Sequence, residues 1–162
     1  MARKRKMTVT PALRVLRENN VQVVEHLYEY VPKGGTATVA KALHVDEHHV
    51  IKTLVMKNDG DSPLLVLMHG DLTVSAKELA RTLNCKRIAP VTPEEAHKIT
   101  GYHVGGISPF GTRQRLPTYV ETSISDLPAI YINGGHRGLI LEMSPADLFR
   151  IVRPIPVQVG IP

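Results

Sequence analysis

The chain has 162 residues, 43% of them hydrophobic, a single cysteine and a formal charge of +5. That is enough apolar material for one compact domain with its own core, and no run approaches the roughly 20 consecutive apolar residues of a membrane helix. Arg3, Lys4, Arg5 and Lys6 supply four of the positive charges; the body after them carries 16 basic against 15 acidic residues, which excludes a strong global field for polyanions.

The charged N-terminus is not followed by the apolar segment of a secretory signal. The lone thiol, Cys85, excludes an intramolecular disulfide and a cysteine zinc site, so a cytoplasmic protein is expected. Residues 1–8 read as a basic tail, 9–153 as the folded domain and 154–162 as a C-terminal tail.

In "TPALRVLRENN", Thr10 is placed to cap a helix, Pro11 suits its first turn, and Leu13, Val15 and Leu16 form its apolar stripe. "VQVVEHLYEY" reads as a strand from Val21 to Tyr28. "KGGTATVAKALHV" then gives a glycine turn and a helix burying Val39, Ala40 and Leu43. The segment from Asp46 to Gly70 reads as two strands around an Asp59-Gly60 turn, with Lys52 opening the first. Ser75 with Glu78, and Thr92 with Glu95, are placed as capping boxes of two further helices. "PTYVET", "AIYIN" and "LILEM" read as strands, and "SPADLFRIV" as a helix capped by Ser144. The proline-rich end either pairs at a sheet edge or trails away. Helices and strands alternate irregularly, which predicts an α+β fold with a mixed, curved sheet.

Alternation along the strand gives Lys52 two readings. It lies on a solvent face opposite Ile51 and Thr53, or it enters a pocket where its ammonium meets a carboxylate, phosphate or carbonyl oxygen and burial lowers its pKa. His44, His48 and His49 invite a metal reading, but Asp46 looks like a fresh N-cap that separates His44 from His48, and no third or fourth ligand accompanies them. Ser108 in "GISPFG" does not sit in the GxSxG pattern of a nucleophile elbow. Cys85, beside Lys86 and Arg87, reads as structural rather than as a nucleophile. No metal and no cofactor is expected.

The paired glycines Gly105-Gly106 and Gly134-Gly135 are more informative, because successive N–H groups without Cβ atoms in the way can converge on one oxygen. Neither pair matches GxGxxG or the Walker pattern. Arg113, Arg115 and Arg137 add guanidinium groups beside both loops and are candidates for phosphate recognition. The seven aromatic residues form no stacking platform.

Taken in order, "TPALRVLRENN", "HLYEY", "IKTLV", "TGYHVGGISPFG", "RLPTYVE" and "IYINGGHRGLILEMSPADL" resemble the YbaK/EbsC family, which includes Cys-tRNA(Pro) deacylases and relatives of the editing domain inserted in prolyl-tRNA synthetases. The resemblance spans Thr8 to Arg153. It implies a barrel-like mixed sheet with flanking helices and a cleft for the 3′ end of an aminoacyl-tRNA. The family's lysine falls on Lys52 as the catalytic position. Its substrate-binding positions fall on Tyr28, on Thr53, on Gly101, on Gly105, Gly106, Ile107, Ser108 and Pro109, and on Asn133, Gly134 and Gly135.

The activity so implied is trans-editing deacylation of mischarged tRNA, Cys-tRNA(Pro) or a related species, with a prolyl-tRNA synthetase as a further partner. The ester is positioned for attack by the substrate's own thiol, by water or by a ribose hydroxyl. Two departures stand out: Asn133 replaces a serine, and Ile140 replaces an acidic residue. They keep open an alternative, a non-catalytic tRNA- or synthetase-binding module of the same fold.

Overall fold

The computed structural model describes residues 9–162; the basic segment 1–8 lies outside the described residues. Helix α1 (Pro11–Glu18) begins where Thr10 Oγ1 accepts from Leu13 N–H, and it buries Ala12, Leu13 and Leu16. The following strand, β1 (Val24–Leu27), is shorter than the run expected from Val21 to Tyr28. Val21 is buried and its N–H closes on Leu16 O to end the helix, while Tyr28 N–H leaves the ladder for Gly138 O.

Helix α2 (Gly35–Leu43) buries Val39 and Ala40, with Leu43 half-buried at its end, and His44 terminates it in the left-handed conformation. Asp46 then caps a single 3₁₀ turn, Glu47–His49, by accepting from His48 N–H, so His44 and His48 do belong to different elements. Strands β2 (Val50–Asn58) and β3 (Pro63–His69) form the expected hairpin, in register from Ile51↔His69 to Lys57↔Pro63. Asn58 Oδ1 organises its turn by accepting from Gly60 and Ser62 N–H.

After the short strand β4 (Thr73–Val74), helix α3 (Ala76–Thr82) is capped by Ser75. Strand β5 (Ile88–Pro90) leads to α4 (Pro93–Thr100), whose capping box between Thr92 and Glu95 is complete. Strands β6 (Thr118–Glu121), β7 (Ile130–Asn133) and β8 (Leu139–Met143) precede helix α5 (Pro145–Val152), capped by Ser144.

These strands build an eight-stranded sheet in the order β1-β8-β7-β2-β3-β6, continued by β9 (Ile155–Val157), with β5 attached to β2 outside this path. The β2/β7, β3/β6 and β6/β9 pairs are parallel and the others antiparallel, giving the mixed sheet of an α+β fold. One core cluster joins α1 and α5 to the sheet through Leu13, Leu16, Ile132, Leu141 and Leu148. A second joins β3 and α3 through Val66, Met68 and Leu79.

Residues 154–162 are not a trailing tail. β9 lies parallel to β6, and β10 (Gly160–Ile161) pairs with β4. Pro156 is tolerated because β9 is an edge strand, and Pro154 lies just before it. The buried Glu121 carboxylate holds this segment by accepting from Val159 N–H at 2.7 Å and Gly160 N–H at 2.6 Å.

Removing that carboxylate leaves two N–H groups without a partner. Glu121→Ala is therefore expected to cost about 3 kcal/mol of unfolding free energy, read as a lowered urea midpoint.

Candidate functional site

Strand β2 has β3 along one whole edge, but its other edge is shared. β7 occupies it only at Val50 and Ile51, and β5 only from Met56 to Asn58. Between them, residues 52–55 face no strand. A cleft of about 740 Å³ opens at this fork, lined by β2 from Val50 to Met56 together with Tyr28, Tyr30, Gly105, Ile107, Asn133, Arg137 and Ile140. That volume suits a ligand of nucleoside size.

Lys52 lies in this cleft and not on an open solvent face. Its Nζ donates to Gly70 O at 3.3 Å. Burial pushes its pKa below the usual lysine value, against the opposing pull of Glu47 and Asp71. Tyr28 shares the cleft, and burial together with the neighbouring Tyr30 raises its phenol pKa, so at neutral pH it is a hydrogen-bond donor. Thr53 also lines the cleft, and its hydroxyl is buried with no partner among the described residues.

The two glycine loops meet here, but most of their N–H groups are already spent on the protein. Gly106 N–H donates to His103 O, Gly134 N–H to Leu139 O, and Gly135 N–H to Asn133 Oδ1. Gly105 N–H is the one of the four with no partner among the described residues, so a convergent nest built from both pairs is not what the loops form. Gly105 has φ +91° and lies so close to Tyr30 that a Cβ would stand 2.7 Å from its ring; a Cβ on Gly106 would stand 2.9 Å from Arg137 N. The glycines are thus needed for close approach of loop to loop.

Asn133 joins the loops. Its Nδ2 donates to Gly105 O at 2.8 Å while its Oδ1 takes the Gly135 N–H at 2.8 Å, so both ends of the amide are used. Arg137 adds a second tie: Nε donates to Val104 O at 2.9 Å, and the guanidinium sits 5.0 Å from the centre of the Tyr30 ring.

Other expected positions support the site from outside it. Gly101 ends α4 with φ +83°. Ser108 is fully buried and its Oγ accepts from Phe110 N–H, and Pro109 is buried beside it. Gly134 and Gly135 pack behind Asn133, where Gly134 O accepts from Thr10 Oγ1. Arg113 donates to Lys98 O, and Arg115 lies in a smaller hollow with Arg150 and Arg153, so neither lines the cleft. Tyr30 was missed by sequence reasoning; alternation from Tyr28 through "YEY" was the signal that places both on one side.

His48, His69 and Asp71 lie close enough to share a metal ion. Their arrangement serves a different purpose. His69 Nδ1 donates to His48 O at 2.6 Å, and its Nε2 accepts from Ser123 Oγ at 2.7 Å, so both ring nitrogens are engaged. The His48 and His69 rings stack 3.7 Å apart within 3° of parallel, which puts their lone pairs in separate planes. An ion in the plane of one ring would lie out of the plane of the other.

A model of the aminoacyl-tRNA editing domain matches residues 32–151, a span that contains Lys52 and both glycine loops. The chain belongs to that family. Over 152 residues it is 27% identical to the Enterococcus faecalis protein named "Putative Cys-tRNA(Pro)/Cys-tRNA(Cys) deacylase EbsC", covering 93% of each chain. It is 30% identical over 91 residues to a proline–tRNA ligase of Levilactobacillus brevis, matching 56% of this chain and 16% of the ligase. Among solved structures, one titled "Crystal structure of a putative trans-editing enzyme for prolyl tRNA synthetase" shares the fold with a TM-score of 0.79 at 20% identity, covering 96% of this chain and all of that one. A hypothetical protein superposes with a TM-score of 0.85 at 19% identity over 93% of this chain and 99% of its own.

Two outcomes follow from the geometry. Asn133→Ala leaves Gly105 O and Gly135 N–H unpaired, and is expected to lower stability by about 1–2 kcal/mol and to speed amide exchange at Gly135. For His69, burial is the main cause of a pKa below the ordinary histidine value. The unfolded chain therefore takes up a proton near pH 6.5 that the folded chain refuses, so stability is complete above that pH and is lost as pH falls below it. Urea midpoints at pH 7.5 and 5.0 should differ more for the native protein than for His69→Asn.

Proposed function

We propose that the protein is a free-standing trans-editing aminoacyl-tRNA deacylase, acting on the 3′ end of mischarged tRNA such as Cys-tRNA(Pro) or Ala-tRNA(Pro). The observation that carries this reading is the meeting of Lys52, Gly105 and Asn133, from three distant parts of the chain, in one cleft of nucleoside size within an editing-domain fold. The deacylase name of its E. faecalis relative supports the same activity. A prolyl-tRNA synthetase is the fitting partner, since part of the chain matches a proline–tRNA ligase. A cytoplasmic location follows from this proposal, and no helix among the described residues is long and apolar enough to cross a membrane.

An aminoacyl ester is already activated, so catalysis consists of holding it and stabilising the oxyanion that develops on its carbonyl. Lys52 supplies a positive charge in a poorly hydrated position, and Gly105 supplies an uncommitted N–H. Among the described residues no serine or cysteine lines the cleft; its hydroxyl groups are those of Thr36, Thr38, Thr53 and the tyrosines, Tyr28 staying protonated, and in this proposal the attacking group comes from the substrate or from water. Among the described residues no carboxylate lines the cleft either; Lys33, Lys52 and Arg137 are the charged residues of that lining, while Val39, Val50 and Ile140 form an apolar wall. This lining favours a small uncharged amino acid side chain beside a polyanionic tRNA end.

A second reading, a binding module without turnover, draws on Asn133, whose amide is wholly occupied by the loops. A panel of mischarged tRNAs decides between them. Lys52→Ala is expected to reduce kcat/KM about 100-fold, with loss of the ester followed directly. Because burial lowers the Lys52 pKa, its ammonium is lost as pH rises through a value below the ordinary 10.5. After subtraction of uncatalysed hydrolysis, the Lys52-dependent rate should decline with rising pH below that value. No ester loss above the Lys52→Ala level across the panel would leave only the binding module.

A further inference from the structure

The fork in the sheet leaves one residue of β2 with both its N–H and its C=O unfilled on that edge, and the register shows which. Gly70 N–H donates to Val50 O at 2.7 Å, and at the far end Asn58 N–H donates to Ser62 O at 3.1 Å. In an antiparallel pair such exchanges recur at every second residue, so even-numbered residues of β2 turn their N–H and C=O groups toward β3. Odd-numbered residues turn theirs to the opposite edge. Ile51 meets β7 there, and Val55 O takes the N–H of Val91 at 3.2 Å. Thr53 lies between them, past the last β7 pair at Ile51↔Ile132 and before the first β5 pair at Met56↔Pro90.

Both main-chain groups of Thr53 therefore open onto the cleft that Thr53 lines, next to Asn133 and Gly105. Its hydroxyl has no partner either. A residue in the middle of a sheet with no polar group satisfied is rare, because buried N–H and C=O groups in folded proteins are nearly always paired. The deficit points to a ligand that completes the ladder.

An aminoacyl ester has the matching chemistry. Its α-amine and its ester carbonyl sit on adjacent atoms, as the N–H and C=O of one residue in a strand do. Nor is there, among the described residues, a carboxylate in the cleft lining to hold the amine. We propose that the substrate's aminoacyl group docks as a one-residue strand against Thr53: its amine donates to Thr53 C=O and its ester carbonyl accepts from Thr53 N–H. This deepens the deacylase reading and rests on it. The main-chain part of recognition is then the same for every amino acid, while the side chain projects to one face of the added strand and meets the apolar wall.

The test uses unhydrolysable amide analogues, 3′-alanylamino-3′-deoxyadenosine and its propionylamino counterpart, which differ only in the amine. By calorimetry the alanyl compound is expected to bind the native protein about tenfold more tightly or better. That ratio should shrink severalfold when leucic acid, the α-hydroxy analogue of leucine, replaces Leu54. The resulting ester linkage weakens the Thr53 carbonyl as an acceptor while keeping every side chain. Equal affinity of the two analogues for the native protein would overturn the inference and leave the deacylase reading standing. Failure of both to bind, together with no deacylation in the tRNA panel, would overturn the reading and the inference with it.

Discussion

The site depends on a shared strand edge. β2 is too long for either of its partners on that side: β7 covers its first two residues and β5 its last three. Sheets ordinarily close such gaps, because an unpaired stretch of main chain inside a fold forfeits hydrogen bonds that water would otherwise provide. Here the gap is kept open by what surrounds it. The β3 ladder holds β2 straight along its other edge, and the buried side chains of Val50, Ile51, Val55 and Met56 anchor it on both sides of the fork.

Around the fork the polar residues divide into those that face the cleft and those that build its walls. Lys52, Tyr28 and Thr53 face it. Asn133 lines it too, but its amide is committed to Gly105 and Gly135, and Arg137 is committed to Val104 and Tyr30. The serine-to-asparagine departure seen in the sequence thus acquires a structural meaning: a longer side chain with both a donor and an acceptor bridges two loops. Ile140, read in the sequence as standing where cysteine-specific members of the resembled family have an acid, places an apolar surface in the cleft and packs with Val39 and Val50.

Much of the fold was legible in the sequence because its signals are local. Thr92 with Glu95, Ser144 with Pro145, and the Asp59-Gly60 turn each act within a few residues, and each formed the element expected of it. The fork was not legible, since it arises from strands β2, β5 and β7, which lie far apart along the chain. Nor was the fate of the glycine N–H groups: "GG" shows where the chain comes close to something, and not whether that is a ligand or another loop. The proline-rich end was ambiguous for a related reason. Its pairing depends on the Glu121 carboxylate, over 30 residues earlier, which no local pattern connects to Val159 and Gly160.

The Asn133 tie has a mechanical consequence. With the first glycine loop bonded to the second, and the second bonded through Gly134 to Thr10 at the head of α1, the lip on this side of the hollow behaves as one stiff piece. A wall braced in this way keeps its shape whether or not the hollow is occupied, so little ordering of these loops is left to be done when a ligand arrives.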